Sequence, residues 1–297
     1  MTTRIIVLAL AMLAMAGCSL FRHPPRQPTS RPHYVVGDPY QAGGAWYYPR
    51  EMSTYEATGL ATVATAHSGL TSDGEVFDPT ALAAAHQTLQ LPAIAHVTNM
   101  ANGRQILVRL NDRGPANPGR LIALTPHAAD LLGASDGTPV RVQLDEGMTR
   151  TLADQLGGGP HIAMATAPRD AVQAESLAPP PGVRQSTRGE FAPGATPVSA
   201  APAAGPAVPD RLPNRVTQGT PEPGQLYIRA SEFGRMEYAQ QLSAQLTGLN
   251  PQVERLRDGK TETYRVRAGP FASVAAADAA LDQARRAGVI DAHIVVE

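Results

Sequence analysis

The sequence predicts a multi-domain chain: a small all-β barrel, a long unfolded segment, and an α+β module of element order βαββαβ. Three observations predict it. Short β-rich runs alternate with turn clusters between Ala57 and Leu144. Residues 179–223 hold 11 prolines in 45 positions, set among Ala, Gly, Ser and Thr. Such a stretch has little to bury, so it reads as an extended, disordered linker. From Gln225 onward, strand and helix patterns return, each with its own start and stop residues.

Composition agrees. At roughly 150 residues per domain, 297 residues give a prior of two domains. The 27 glycines and 27 prolines exceed the usual usage of about 12% for the two together, which points to unfolded as well as folded chain. Aromatic residues are only 5%, so the cores are built from Ala, Val, Leu and Ile. Lys plus Arg is 25 and Asp plus Glu is 26, a net charge of -1. That balance argues against nucleic acid as a partner. One cysteine, Cys18, excludes an internal disulfide and a cysteine-based zinc site.

Residues 1–17 read as an address. Arg4 precedes an apolar run from Ile5 to Ala16. The run is too short to span a bilayer comfortably but suits a secretory signal core. It ends in Met15-Ala16-Gly17-Cys18, which resembles the bacterial lipoprotein signal. The resemblance implies cleavage before Cys18 and acylation of that residue, an anchor firmer than a single chain gives. Ser19 after it favours the outer membrane by analogy with bacterial sorting. The plainer reading of Cys18 is a free thiol in an ordinary signal peptide.

Residues 18–56 read as a tether ending in a docking segment, Trp46-Tyr47-Tyr48-Pro49. The barrel is expected over 57–145. Ala61–Ala64, His96–Asn99, Ile106–Leu110 and Val140–Leu144 are its strand candidates. Asn102-Gly103 reads as a hairpin turn. Ala81–His86 and Pro126–Leu132 suggest short helices, the second with Thr125 as N-cap, Pro126 at N1 and Gly133 as stop. Many short strands with few helices suggest a small barrel. Residues 146–223 are assigned to the linker, disordered from about 179, and residues 146–178 carry no clear pattern.

In 224–297, Leu226–Ala230 reads as a strand and Gly234–Leu246 as a helix with Tyr238, Leu242 and Leu246 on one face. Gln252–Arg257 and Thr261–Ala268 form a hairpin across Asp258-Gly259. Ser273–Arg286 is a second helix and His293–Val296 the last strand. This order is the split βαβ, ferredoxin-like arrangement. The stretch Tyr264-Arg265-Val266-Arg267-Ala268-Gly269-Pro270-Phe271, with the flanking pattern, resembles the SPOR domain. The resemblance implies binding to septal glycan strands that lack stem peptides. Arg229, Arg265 and Arg267 alternate with apolar neighbours, so they belong on the sheet face away from the core. There they are either glycan ligands or a solvated surface, whereas Phe233 and Phe271 read as packing.

Three strings in the barrel region could carry chemistry. They are Thr71-Ser-Asp-Gly-Glu75-Val-Phe-Asp78, Leu82-Ala-Ala-Ala-His86, and Arg109-Leu-Asn-Asp112-Arg-Gly-Pro115 followed by Pro118-Gly119-Arg120. Asp112 closes an alternating strand where a loop begins. That is a place for a catalytic acid and equally for a turn-capping Asp, the commoner case. In combination the strings are similar to the rare lipoprotein A family. Its double-psi β-barrel carries A-N-G-E-x-[FY]-[DN], A-A-H-x-T-L-P, V-R-[IV]-N-D-R-G-P and G-R in that order. The match covers about residues 57–144, between a lipoprotein signal and a SPOR domain as in that family.

The resemblance implies a six-stranded double-psi barrel and lytic transglycosylase activity. Such enzymes cleave the MurNAc–GlcNAc β-1,4 bond, and the MurNAc 6-hydroxyl closes a 1,6-anhydro ring. One carboxyl group can serve as acid and then as base, because the proton demand reverses between the steps. Carried across, Asp112 is the candidate acid/base and Glu75 the second carboxylate. His86 would orient one of them by a hydrogen bond, or else pack in the barrel. Arg113 pairs with a carboxylate or caps a turn, while Asp73 and Asp78 read as loop residues.

One departure concerns the groove. The family's A-S-W-Y-G near the first strand is replaced here, with Val63-Ala64-Thr65 in place of Trp-Tyr-Gly. The expected aromatic and hydroxyl groups are missing, and His67 or Ser68 offers only a nearby substitute. The eight histidines, at 23, 33, 67, 86, 96, 127, 161 and 293, lack metal-ligand spacing. No metal or organic cofactor is implied. The first reading is therefore a lipid-anchored, septum-directed lytic transglycosylase. The alternatives are a non-catalytic wall-binding lipoprotein and a scaffold for division-site proteins.

Overall fold

The computed structural model describes residues 29–65, 68–158, 207–259 and 261–297. The signal segment, Cys18, His67 and the linker over 159–206 lie outside the described residues.

Six strands close a barrel: β3 (Glu56–Val63), β4 (Ala83–His86), β5 (Ala93–Asn99), β6 (Arg104–Asp112), β7 (Ile122–Leu124) and β8 (Thr138–Leu144). The ring runs β4-β7-β3-β8-β5-β6 and closes by pairing β6 with β4. β3 pairs with β7 and β4 with β6 in parallel, and the other four pairings are antiparallel. The two parallel pairings are the crossings that make the barrel double-psi. Closure leaves no free barrel edge between these strands. Leu89, Ile94, Ile106, Leu110, Ile122 and Leu124 are fully buried inside.

The short helix α1 (Pro126–Leu132) starts and stops as its sequence predicts, with Pro126 in the first turn and Gly133 left-handed at φ 65°. The Thr125 hydroxyl does not cap the helix; it donates to the carbonyl of Ala81 at 2.6 Å. Ala81–His86 is not a helix. Its second half is β4, where three alanines lie between β6 and β7. Alanine is the best helix former, but its small side chain also suits the crowded crossing of a small barrel, and packing overrides propensity. A helix unforeseen in the sequence, α2 (Glu146–Gln155), follows β8, its first turn capped by Asp145 Oδ1 accepting from Met148 N at 2.8 Å.

The folded part begins before the expected boundary at 57. β1 (Tyr40–Ala42) and β2 (Ala45–Tyr47) form a hairpin on the barrel. Val35 bridges Leu91, and the Gln90 side chain bonds both backbone groups of Met52. Ala45 and Tyr47 are buried, and Val35, Met52 and Tyr55 pack against the barrel core, so side-chain burial as well as hydrogen bonds holds this segment. The linker also ends earlier than composition suggests. Val208 and Leu212 are buried against the barrel, and β9 (Thr217–Gln218) pairs with β6.

The C-terminal sheet contains β10 (Leu226–Phe233), β11 (Pro251–Asp258), β12 (Thr261–Phe271) and β13 (His293–Val296) in antiparallel order β11-β12-β10-β13. The helices α3 (Met236–Gln245) and α4 (Val274–Arg286) pack on it. The Ser273 hydroxyl caps α4 by accepting from Ala276 N. The sheet core, including Ile228, Val266 and Leu281, extends into the barrel through Leu60 and Met100. Arg120, 5% exposed, donates to Asp136 of the barrel and to Asp278 of α4, the latter at 2.8 and 3.1 Å.

Candidate active site

Two elements build the site. The Thr71–Glu75 turn carries Glu75, and the end of β6 carries Arg109, Asn111 and Asp112. Gly74 sits in the turn at φ 86°, where a Cβ would meet the carbonyl oxygen of Arg31 at 2.4 Å, so only glycine fits. The turn is sewn to β6 by Asp73 N donating to Asn111 O at 3.2 Å. Ser72 adds two bonds to Asp112 Oδ1, from its amide at 2.9 Å and its hydroxyl at 2.6 Å.

Glu75 is largely buried and held on both oxygens. Oε1 forms an ion pair with Arg109, and Oε2 accepts from Asn111 Nδ2 at 2.8 Å. Arg109 and Asn111 lie two apart on β6, so both face the same side and reach one carboxylate. Asp112, the next residue, faces a separate cavity of about 310 Å³ lined also by Val63, Ala64 and Thr65. Glu75 faces a larger cavity of about 1050 Å³, whose far wall includes Val208, Arg211 and Leu212. Phe77, Asn111 and Thr125 line both cavities. The two carboxylates thus open onto different cavities, with Glu75 alone bonded to the Asn111 side chain in their shared wall.

His86 does not bond either carboxylate. Its Nε2 meets the Tyr55 hydroxyl at 3.1 Å, and Nδ1 accepts from the amides of Thr88 and Leu89 at 3.3 and 3.2 Å. Burial pushes its pKa down to about 3, so it is neutral at physiological pH. Arg113 caps loop carbonyls, donating to Leu89 O and Val36 O. Asp78 pairs with Arg211 across the larger cavity. Asp73 lies in the Thr71–Glu75 turn, as a loop residue, and is fully buried there.

On the C-terminal sheet, Tyr227 and Arg229 are half-buried while Leu226, Ile228 and Ala230 are buried, so the arginine face is the one away from the core. Arg229 and Arg267 both pair with Glu297, and Arg265 pairs with Glu232. Arg267 also lies over the Tyr227 ring at 4.8 Å. Among the described residues, no group of three or more His, Cys, Asp or Glu is placed to hold a metal ion.

Sequence reasoning missed Arg109, Asn111 and Asp73. The signal for the first two is present: polar residues at alternate positions, around buried Leu110, on a strand ending in an acid. Nothing local marks Asp73 as buried.

Comparison with known proteins places this architecture. A family model described as lytic transglycolase matches residues 41–144, and a SPOR domain model matches 222–295. An endolytic peptidoglycan transglycosylase RlpA of Pseudomonas aeruginosa is 30% identical over 259 residues, 85% of this chain and 74% of that protein. The chain belongs to the RlpA family. The RlpA protein of Escherichia coli is 48% identical over 106 residues, which is 35% of this chain and 29% of that protein. The RlpA of Salmonella typhimurium is 42% identical over 123 residues, 41% of this chain and 31% of that protein. The chain therefore spans about a third of the length of these two relatives in the matched region. The lytic transglycolase match begins at residue 41, within the β1–β2 hairpin rather than at 57.

Proposed function

We propose that this chain is an endolytic peptidoglycan lytic transglycosylase acting on glycan strands that lack stem peptides. The observation that carries the reading is Asp112 at the end of β6, lining a cavity whose wall residue Asn111 is held by Glu75. Asp112, as the acid, gives its proton to the O4 atom of the departing GlcNAc as the bond to C1 of MurNAc breaks. The resulting carboxylate then takes the proton of the MurNAc 6-hydroxyl, whose oxygen bonds to C1 and closes the 1,6-anhydro ring. No water is consumed, and Asp112 ends with the proton it began with. Glu75, ion-paired with Arg109 and bonded by Asn111, acts as the second carboxylate by holding Asn111 in the wall that the two cavities share.

The C-terminal domain holds the same polymer through the face bearing Arg229, Arg265 and Arg267. Binding there raises the local concentration of glycan at the barrel. Acylation of Cys18 anchors the chain in the outer membrane facing the periplasm, and glycan affinity enriches it at the septum, beside division-site proteins.

The test is incubation of the purified chain with denuded glycan and mass analysis of the soluble products, with 1,6-anhydro ends expected. A second reading, a non-catalytic wall-binding protein, is favoured by one observation. Val63, Ala64 and Thr65 give the Asp112 cavity a lining of small side chains where an aromatic platform is expected. Co-sedimentation with sacculi without soluble product selects that reading.

A further inference from the structure

The Thr71–Glu75 turn holds a carboxyl group that the proposed reaction does not use. Asp73 is fully buried, and its Oδ1 accepts from the Thr71 hydroxyl at 2.7 Å and from Glu75 N at 3.2 Å. Its Oδ2 is buried without a hydrogen-bond partner, as is Arg109 Nε in the same cluster. A buried carboxyl oxygen left unpaired is costly unless the group carries a proton or shares a nearby cation.

We propose that Asp73 is a positioning residue for Glu75: it fixes the turn that carries Glu75, and its charge state sets how the Arg109 guanidinium is divided between the two acids. Several charged or titratable groups face it. Glu75 lies on its own turn and Arg109 reaches it from β6. Arg31 and His33 of the N-terminal segment bond the turn's backbone, His33 N to Asp73 O at 2.9 Å and Arg31 N to Gly74 O at 2.8 Å. Asp112 is joined to the turn through Ser72. Burial, and then the charge of Glu75, push the Asp73 carboxyl up to about 6, against the pull of Thr71, the Glu75 amide and Arg109. Neutral Asp73 leaves Arg109 to Glu75 alone. Ionised Asp73 places a second anion beside one guanidinium and loosens the hold on Glu75.

The consequence for glycan cleavage rests on the role of Glu75 given above, so the test has two readouts on the full chain. The first is thermal unfolding against pH for the wild type and Asp73→Asn. The folded carboxyl titrates above the unfolded value of about 3.9, so Asp73 stabilises fully below that pH and the contribution is lost as pH rises through about 6. The melting temperature of the wild type minus that of Asp73→Asn falls between pH 4 and 7. A difference that stays flat overturns the inference. The second is the pH profile of glycan cleavage. The wild type carries an ionisation near 6 that Asp73→Asn lacks, while Asp73→Ala loses at least tenfold in rate at every pH. Equal profiles for wild type and Asp73→Asn overturn it. A wild type that cleaves nothing refutes the catalytic reading and leaves the unfolding series to decide Asp73.

Discussion

Arg109 is 8% exposed and neutralises Glu75, which is 19% exposed. Removing one partner of a mostly buried pair leaves the other charge uncompensated. Arg109→Leu is expected to cost about 3 kcal/mol in urea unfolding, more than most single substitutions. His86 acts with the opposite sign to Asp73. Its folded pKa of about 3 lies below the unfolded value of about 6.5, so its contribution is complete above that value and disappears as pH falls toward 3. His86→Gln is expected to be less stable at pH 7 and to lose less stability than the wild type between pH 7 and 4, as circular dichroism melts would record. Asp112 and Glu75 were legible as candidates because each sits in a distinctive string. The partner of His86 was not, because it is Tyr55, in a stretch that carries no regular pattern. A histidine's long-range partner leaves no trace in its own neighbourhood, so its role was open between orienting a carboxylate and packing.

At the scale of elements, residues 207–219 act as a strap. Val208 and Leu212 are its apolar anchors, Arg211 reaches Asp78, and Thr217 and Gln218 extend the sheet beside β6. Leu212→Asp puts a charge into that seat. Limited proteolysis is expected to cut the variant faster within 207–219, with a loss on the order of 2 kcal/mol, near the lower end for emptying a core position. Protection equal to the wild type contradicts the strap. Composition hid this element, since its Pro, Asn and Thr are those of an unfolded linker and only two apolar side chains hold it. The opposite failure occurs at β4, where Ala83–Ala85 has helical propensity and only its partners β6 and β7 make it a strand. Strands with alternation and helices with explicit stops, such as α1 at Gly133, were legible because their signals are local.

Across the whole molecule, Arg120 joins the two modules. Its guanidinium, held firmly in the charged form by Asp136 and Asp278, spans the barrel and α4, and Val296 N donates to Thr58 Oγ1 at 3.3 Å beside it. Asp278→Ala keeps the Asp136 pair and removes the ion pair between the modules, leaving the Val296–Thr58 bond and the Leu60 and Met100 packing. Small-angle scattering is expected to show a larger radius of gyration for this variant, with the barrel's own unfolding midpoint nearly unchanged. The division into a barrel and a βαββαβ module was readable from the sequence. Their docking was not, because Asp278 and Arg120 are each ordinary surface-type residues until brought together. The claim on which function turns is that Asp112 moves the proton during bond cleavage. Its most direct measurement is the release of 1,6-anhydro ends from denuded glycan by Asp112→Asn, alongside glycan binding by the same variant. Release is expected to be abolished while binding is retained; release at the wild-type rate takes Asp112 out of the proton transfer.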